Sequence, residues 1–293
     1  MLATGLAGPS NPLRVGFDQA FISLATAAGH ALTAACIEAE QISSVCAGLA
    51  GAGQPRVMKR VMGHLVDTFP RADIHVTTDL EVALEAAVGQ GPGVVLIAGT
   101  GSASYGRNAV GHAVRAGGYG PWIGDVGSAF DIGQRAVRAV AQSRDAMAPV
   151  TNLSEMMQAA LECPDWSTLL ERIAADPDQI LPRLFPIVAE AAEAKDAPAE
   201  EIMYGAALGL ASLAVSVARR LDLLGKEFVL GKSGGVFGHC ACLDATLDAL
   251  LLSGAPRAHI RALEISPAHG AARMARRLPS PGGQRHRDDA SVV

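Results

Sequence analysis

Val94-Val-Leu-Ile-Ala-Gly-Thr-Gly-Ser102 is a short apolar run that ends in a glycine-bracketed threonine and serine. An apolar run of this length, bounded by glycines, predicts a buried β-strand. The turn after it presents backbone N–H groups and hydroxyls, which together can face an anion such as a phosphate. The stretch therefore predicts either a phosphate-facing loop at the end of a strand or an ordinary glycine turn. The surrounding sequence is needed to distinguish the phosphate-facing loop from the ordinary turn.

Two other segments repeat the pattern of a strand that runs into a glycine turn. Residues 44–53 are small and end in glycines, and residues 227–235 are an apolar strand followed by Gly-Lys-Ser-Gly-Gly. Small residues at such turns let another group approach the backbone closely. The chain therefore offers three places where a ligand could contact the main chain.

Asp79 follows a further predicted strand, residues 74–78, and precedes a helical segment, residues 80–87. Aspartate is a preferred N-cap of helices, because its carboxylate accepts a hydrogen bond from an unpaired backbone N–H. The carboxyl ends of strands are also where open α/β sheets bind ligands. The residue is thus a candidate for a cap or for chemistry, and its position alone leaves both open.

The densest glycine cluster is Gly117-Gly-Tyr-Gly-Pro-Trp-Ile-Gly-Asp-Val-Gly-Ser128, which follows a predicted hairpin over residues 104–115. Tyr119, Trp122, Asp125 and Ser128 are the candidates for recognition chemistry in this cluster. Asp125 and Ser128 could equally cap the amphipathic helix that follows.

The remaining periodicity is mostly helical. Helices are predicted at residues 18–39, at 55–68, from about 132, in pieces through an insertion at about 146–202, at 202–224 and at 268–278, with a last strand at 259–265. Residues 1–16 are predicted to be a loop, and residues 279–293, which lack an apolar period, a disordered tail. Strands that alternate with helices and end in glycine turns predict an α/β architecture with ligands at those ends.

Composition excludes several classes of protein. The 293 residues are 49% apolar and 18% charged, with a net charge of −5, which argues against a nucleic-acid partner. The most apolar stretch, residues 206–218, is shorter than the roughly 20 residues that span a bilayer, so we expect a buried helix and no membrane partner. Five scattered cysteines and an opening without a signal segment predict the cytoplasm. Cys240 and Cys242 beside His239 lack the two-residue spacing of a metal site, and no metal is predicted there.

In order along the chain, the glycine motifs resemble those of the N-acetylglucosamine kinase and BadF/BadG/BcrA/BcrD-type ATPase family, in the superfamily of actin, Hsp70 and sugar kinases. The motifs are Gly48-Leu-Ala-Gly51, Thr77-Thr-Asp79, residues 99–102, residues 117–128 and Ser233-Gly-Gly-Val-Phe237. The resemblance implies a two-lobed actin-like ATPase (ribonuclease H-like) fold with a first lobe at 1–91 and a second at 92–278. It also implies that the final helix returns toward the first lobe.

The resemblance further implies an ATP-dependent kinase that phosphorylates an amino sugar, first of all N-acetylglucosamine. ATP and Mg²⁺ would lie in the cleft between the lobes, and the family is commonly dimeric. Asp79 would be the catalytic base. The predicted sugar contacts are Asn11, Thr100, Gly117, Gly118 and Asp125. The predicted nucleotide contacts are Gly99, Thr100, Gly101 and Ser102 at the phosphates and Gly234 and Gly235 at the adenosine.

Three departures from the family pattern stand against this assignment. Tyr119 replaces a tryptophan of many N-acetylglucosamine kinases, and Ala103 replaces an asparagine that contacts the sugar in human-type enzymes. The family's opening Asp-Gly-Gly-Gly-Thr-Lys-type phosphate loop is not found, so the first lobe is expected to be truncated. A single donor in a comparable preorganised site contributes about 10²–10³ in rate. Either the true start lies upstream or catalysis has been lost. One alternative is a BadF-type ATPase that activates a partner enzyme; such activators typically hold an iron–sulfur cluster through cysteines, and the cysteines of this chain are not spaced for one. The other alternative is a non-catalytic sugar-binding protein.

Overall fold

The computed structural model describes residues 2–278, which fold as eleven α-helices and seven strands. The helices are α1 Pro12–Ala35, α2 Pro55–Thr68, α3 Asp79–Val88, α4 Ala129–Arg144, α5 Leu153–Ala160, α6 Trp166–Ala175, α7 Pro177–Arg183, α8 Phe185–Glu193, α9 Ala197–Arg220, α10 Ala241–Gly254 and α11 Pro267–Ala275. The strands are β1 Ser44–Gly48, β2 Asp73–Thr77, β3 Gly93–Ala98, β4 Ser102–Arg107, β5 Ala113–Gly117, β6 Phe228–Ser233 and β7 Ala258–Ala262. The expected tail, 279–293, lies outside the described residues.

These elements form two compact units, each with its own apolar core. Unit 1 contains the chain up to Ala86 and from Ile265 onward, and unit 2 is Ala87–Glu264. The α/β fold class predicted from the alternation of strands and helices is confirmed.

Unit 1 is built on a two-stranded parallel sheet, in which Ser44 of β1 pairs with Asp73 of β2 and Gly48 pairs with Thr77. Helix α11, from the far end of the chain, packs on β1 and α3. A Cβ atom at Gly270 of α11 would lie 2.1 Å from the carbonyl oxygen of Val82, so only glycine permits this approach. The sequence-distant last helix thus completes the unit.

Helix α1 differs from its prediction at both ends. The side-chain oxygen of Asn11 accepts a hydrogen bond from the N–H of Leu13 (3.0 Å), so the helix begins at Pro12 inside the predicted loop. Gly16 then kinks it with a φ of +79°. The helix ends at Ala35 and not at residue 39, because Cys36 adopts the left-handed conformation (φ 55°).

An ion pair ties the C-terminal side of α11 to α3. Arg277 Nη2 lies 2.7 Å from Glu85 Oε2, and the carboxylate side chain is only 4% exposed. Replacing Arg277 with Ala leaves this carboxylate buried without its partner, which we expect to lower the free energy of unfolding by about 2 kcal/mol, less than for a fully buried pair because Arg277 is partly exposed. Urea unfolding measures the loss. The neighbouring exposed Arg276→Ala is the control, and equal losses in both variants would contradict the prediction.

Unit 2 contains a five-stranded sheet in the order β5-β4-β3-β6-β7, in which β3, β6 and β7 are parallel and β4 and β5 antiparallel. Helix α9 packs on β3, β4 and β5 and contacts α4, α8 and α10. It is the one helix of the described residues that is long and apolar enough to cross a membrane. Ten of its residues are buried inside unit 2, however, which accounts for its composition. It begins at Ala197, five residues before its predicted start, because the carboxylate of Asp196 accepts from the N–H of Ala199 (3.1 Å).

Candidate active site

The glycine turn after β3 is held in place by the segment that leads into α4. The carbonyl oxygen of Gly99 accepts a hydrogen bond from the N–H of Ala129 (2.8 Å), and Ser102 Oγ donates to the carbonyl oxygen of Val126 (2.7 Å). The hydroxyl of Ser102 is therefore used inside the protein, whereas Thr100 is exposed. The N–H of Gly99 donates to the carbonyl oxygen of Gly101 (2.9 Å), which fixes the turn further. A fixed turn of this kind can offer its other backbone N–H groups to an anion in a preorganised arrangement, and Thr100 supplies an exposed hydroxyl.

Asp125 lies against this turn. Its side chain is buried (5% exposed), and a Cβ atom at Gly101 would lie 2.7 Å from Asp125 Oδ2, so the contact requires glycine at that position. Asp125 also adopts a left-handed conformation (φ 55°), which costs a non-glycine residue about 1–3 kcal/mol. Burial of this carboxylate beside a glycine turn makes Asp125 a candidate functional residue.

Asp125 is not the cap of α4, so that interpretation is wrong. Ser128 Oγ accepts a hydrogen bond from the N–H of Asp131 (3.2 Å), and Asp131 Oδ2 accepts from the N–H of Gly127 (2.7 Å). Ser128 is therefore the cap of α4, in agreement with the prediction that named it as a possible cap.

Gly117 and Gly118 lie beside Ser102. The N–H of Gly118 donates to the carbonyl oxygen of Ser102 (3.0 Å), and the φ angles of the two glycines are +75° and +71°. The aromatic residues after them, Tyr119 and Trp122, are 63% and 66% exposed. The end of β5 therefore brings backbone groups and two accessible rings to the same side of the sheet as the turn after β3.

The turn after β6 contacts the end of β3. Gly234 has a φ of +117°, and a Cβ atom there would lie 2.2 Å from the carbonyl oxygen of Ala98, which also accepts from the N–H of Val236 (3.1 Å). By contrast, a Cβ atom at Gly235 or Gly99 would meet nothing within 4 Å. Gly234 is therefore required by the fold, whereas Gly235 and Gly99 leave space that a ligand can occupy.

Asp79 lies at the first position of α3, directly after the end of β2. The hydroxyl of Thr78 accepts a hydrogen bond from the N–H of Glu81 (3.2 Å), which makes Thr78 the cap of this helix. Asp79 Oδ1 accepts a hydrogen bond from the adjacent N–H of Leu80 (3.0 Å). The cap interpretation of Asp79 is therefore weakened, since another side chain performs that function.

Asn11 lies beside the glycine turn after β1: a Cβ atom at Gly51 would lie 3.4 Å from Asn11 Oδ1. The same oxygen caps α1, so its amide nitrogen is the atom left to donate to a ligand. In the same unit, a Cβ atom at Gly53 would lie 3.7 Å from the methyl group of Thr78. The turns after the two parallel strands of unit 1 therefore lie at one edge of its sheet.

The predicted residues fall into two groups, one in each unit. Unit 1 holds Asn11 and Asp79. Unit 2 gathers the others around the ends of β3, β5 and β6: Gly99, Thr100, Gly101, Ser102, Gly117, Gly118, Asp125, Gly234 and Gly235.

A parallel strand runs into a glycine turn in each unit, β1 in unit 1 and β3 and β6 in unit 2, and a buried carboxylate lies beside the turn after β3. This arrangement is typical of proteins that bind nucleotide phosphates. Within that class, the chain belongs to the BadF/BadG/BcrA/BcrD ATPase family, whose family model matches residues 1–275. The family predicted from the glycine motifs is thereby confirmed.

Relatives of known activity and solved structures agree with this membership. The chain is 31% identical to an N-acetyl-D-glucosamine kinase of Dictyostelium discoideum, over 80% of this chain and 75% of that protein. It is 29% identical to an N-acetylmuramic acid/N-acetylglucosamine kinase of Clostridium acetobutylicum, over 81% and 78%. A structure from Chromobacterium violaceum, provisionally assigned as an N-acetylglucosamine kinase, matches with a TM-score of 0.73 at 24% identity, over 92% and 89%. The predicted actin-like ATPase fold is confirmed.

Proposed function

We propose that this chain is an ATP-dependent sugar kinase whose substrate is an amino sugar, with N-acetylglucosamine as the leading candidate. The observation that carries the proposal is the buried, strained carboxylate of Asp125 against the Gly99–Ser102 turn, in a chain related to two N-acetylglucosamine kinases. A carboxylate next to a turn that suits phosphates offers a hydrogen-bond acceptor for a polyol beside the group that would be transferred.

The ATP side of the proposal rests on the space left at two turns, the one after β3 and the one after β6. Gly99 and Gly235 are open above their Cα atoms, and Thr100 is exposed, so the turns leave room for phosphates and adenosine and offer one hydroxyl. Mg²⁺, when bound with ATP, neutralises charge on the phosphate oxygens. The carboxylate of Asp125 fits such an ion, because carboxylate oxygens and water are its preferred ligands.

Asp79 is proposed as the general base. As the acceptor oxygen of the sugar bonds to the γ-phosphorus of ATP and ADP departs, the hydroxyl proton passes to the carboxylate of Asp79. Phosphoryl transfer depends mainly on positioning and charge stabilisation, so the base has to be held in place. Its position at the first turn of α3, next to a cap supplied by Thr78, holds the carboxylate at the end of β2.

Sugar recognition is assigned to hydrogen bonds. In unit 2, Asp125 accepts from sugar hydroxyls, Thr100 adds an exposed hydroxyl, and Gly117 and Gly118 add backbone groups. Asn11 is assigned to the same task through its amide N–H groups. A site built from such bonds rejects sugars that lack the matching hydroxyl or amide, because its own polar groups are then left unpaired.

Asp125→Asn separates the two roles that its carboxylate fits. We expect the KM for the sugar to rise about 10–100-fold, since a hydrogen bond to a charged group contributes about 1.5–3 kcal/mol, with the Mg²⁺ requirement unchanged. Steady-state kinetics at varied sugar and varied Mg²⁺ provide the measurement. The exposed Asp145→Asn, at the end of α4, is the control. A shift in the Mg²⁺ requirement with an unchanged sugar KM would instead assign Asp125 to the metal.

The experiment that tests the function is ADP release from Mg²⁺-ATP across a panel of amino and neutral hexoses. ADP release that depends on N-acetylglucosamine or another amino sugar would support the kinase. ADP release without any sugar would favour an ATPase that acts on a partner enzyme. No ADP release with any sugar of the panel, while sugar binding is retained, would favour a non-catalytic sugar-binding protein.

Two finer expectations belong to the same proposal. We expect the protein to act in the cytoplasm, where a sugar kinase meets ATP, and to form a homodimer. Light scattering on the purified protein determines the second point, and a monomer at micromolar concentration would contradict it.

A further inference from the structure

A cluster of two thiols and a carboxylate lies in unit 2, a few residues after the Gly234-Gly235 turn. Cys240 and Cys242 are at the start of α10, and Glu193 is the last residue of α8. The two Sγ atoms are 3.2 Å apart, and one ligand atom from each of the three residues lies within 4.8 Å of the others. The fold thus adds a third donor, from a different helix, to a cysteine pair that is incomplete in the sequence.

Backbone contacts hold the carboxylate in place. Glu193 Oε1 accepts hydrogen bonds from the N–H groups of Ala241 (2.7 Å) and Cys242 (3.4 Å). Cys240 is buried and Cys242 half-buried, whereas Glu193 is exposed. The cluster therefore has a protected sulfur side and an open side through which an ion and water can enter.

The donor set selects the class of ion. Thiolate sulfur and carboxylate oxygen are both zinc ligands, and three protein ligands with water in the fourth position form a common coordination sphere. Two sulfurs at about 2.3 Å from a tetrahedral zinc ion lie about 3.8 Å apart. The observed sulfur–sulfur separation of 3.2 Å has to widen by only about half an ångström to accept the ion.

We propose that Cys240, Cys242 and Glu193 form a Zn²⁺ site that fastens the end of α8 to the start of α10. Binding converts the two thiols to thiolates and releases two protons to solvent, while the carboxylate binds as it stands and water completes the sphere. The ion joins the helical insertion to the helix that follows the proposed adenosine turn. This site stands independently of the kinase proposal, because its readout is metal content.

The test uses the full chain, reduced with a phosphine, stripped with a chelator and then given Zn²⁺ or Co²⁺. We expect one zinc per chain after gel filtration, and a thiolate-to-cobalt charge-transfer band with Co²⁺. With free Zn²⁺ at 100 times its Kd, Tm should rise by on the order of 5 °C. No retained zinc, or a disulfide between Cys240 and Cys242 in place of metal under reducing conditions, would overturn the proposal.

Matched variants locate the ion. Cys242→Ser should abolish retention of zinc and the charge-transfer band. Glu193→Gln keeps a hydrogen-bond acceptor for Ala241 but loses the charge, so it should retain the band and weaken zinc binding. Cys36→Ser, an exposed cysteine of unit 1, is the control and should behave as the wild type. Because Cys242 and Glu193 are not fully buried, both variants should fold, which circular dichroism verifies. Wild-type zinc content in Cys242→Ser would overturn the assignment.

Discussion

Asp79→Asn is expected to lower kcat by about 10²–10⁴-fold with little change in the KM for ATP. The amide cannot take the proton of the sugar hydroxyl, and general base catalysis contributes a factor of this size. The substitution preserves the shape of the side chain and its acceptor for the Leu80 N–H, so the fold should be unaffected. Turnover measured at saturating sugar and Mg²⁺-ATP, with Tm as the check on folding, gives the result.

The control for this variant lies on the same strand. Asp73→Asn removes a carboxylate from the other end of β2, far along the strand from the proposed chemistry, and should leave kcat within about twofold of the wild type. An Asp79→Asn protein that keeps full turnover would contradict the assignment of the base. A loss of Tm that accompanies the loss of turnover would assign Asp79 to the helix start instead.

Gly234→Ala and Gly235→Ala should have opposite consequences, although they are neighbours. Alanine at Gly234 forces a Cβ atom into the carbonyl oxygen of Ala98 at a φ of +117°, so we expect stability to fall by at least about 3 kcal/mol. Alanine at Gly235 meets no protein atom within 4 Å, so Tm should be unchanged. Because adenosine is proposed to lie against Gly235, the KM of the Gly235→Ala protein for ATP should rise about tenfold or more.

Thermal unfolding and ATP kinetics on both proteins provide the comparison. Gly99→Ala extends the test to the phosphate turn, since a Cβ atom there is also unobstructed and should raise the KM for ATP without lowering Tm. Unchanged ATP kinetics in both Gly235→Ala and Gly99→Ala would mean that the nucleotide binds elsewhere. A stable Gly234→Ala protein would contradict the close approach of β6 to β3.

The central strand and its turn could be predicted from the sequence because the determining interactions are local. A buried strand is predicted by an apolar run, and glycines are the residues that best tolerate the close contacts of the turns that follow. The same holds for α2, whose bounds, Pro55–Thr68, agree with the prediction. The role of Thr78 as a cap is also encoded locally, in the Thr-x-x-Glu pattern of residues 78–81, which competes with the capping preference of Asp79.

What the sequence could not supply depends on distant contacts. Helix α10 is the exception, because its signal is local: Leu243, Leu247 and Leu251 recur every four residues and are buried, although the sequence analysis does not predict this helix. The pairing of Glu193 with Cys240 depends on the packing of α8 beside α10, which no spacing in the chain reveals. The placement of α11 in unit 1 likewise depends on tertiary contacts with β1 and α3.

The measurement that tests the central claim most directly is the transfer of labelled γ-phosphate from ATP to N-acetylglucosamine by this chain, with the labelled products separated and counted. The kinase account predicts one sugar phosphate for each ADP formed, with Asp79→Asn reducing both together. Labelled inorganic phosphate without sugar phosphate, at a rate that N-acetylglucosamine and other amino sugars do not change, would contradict it.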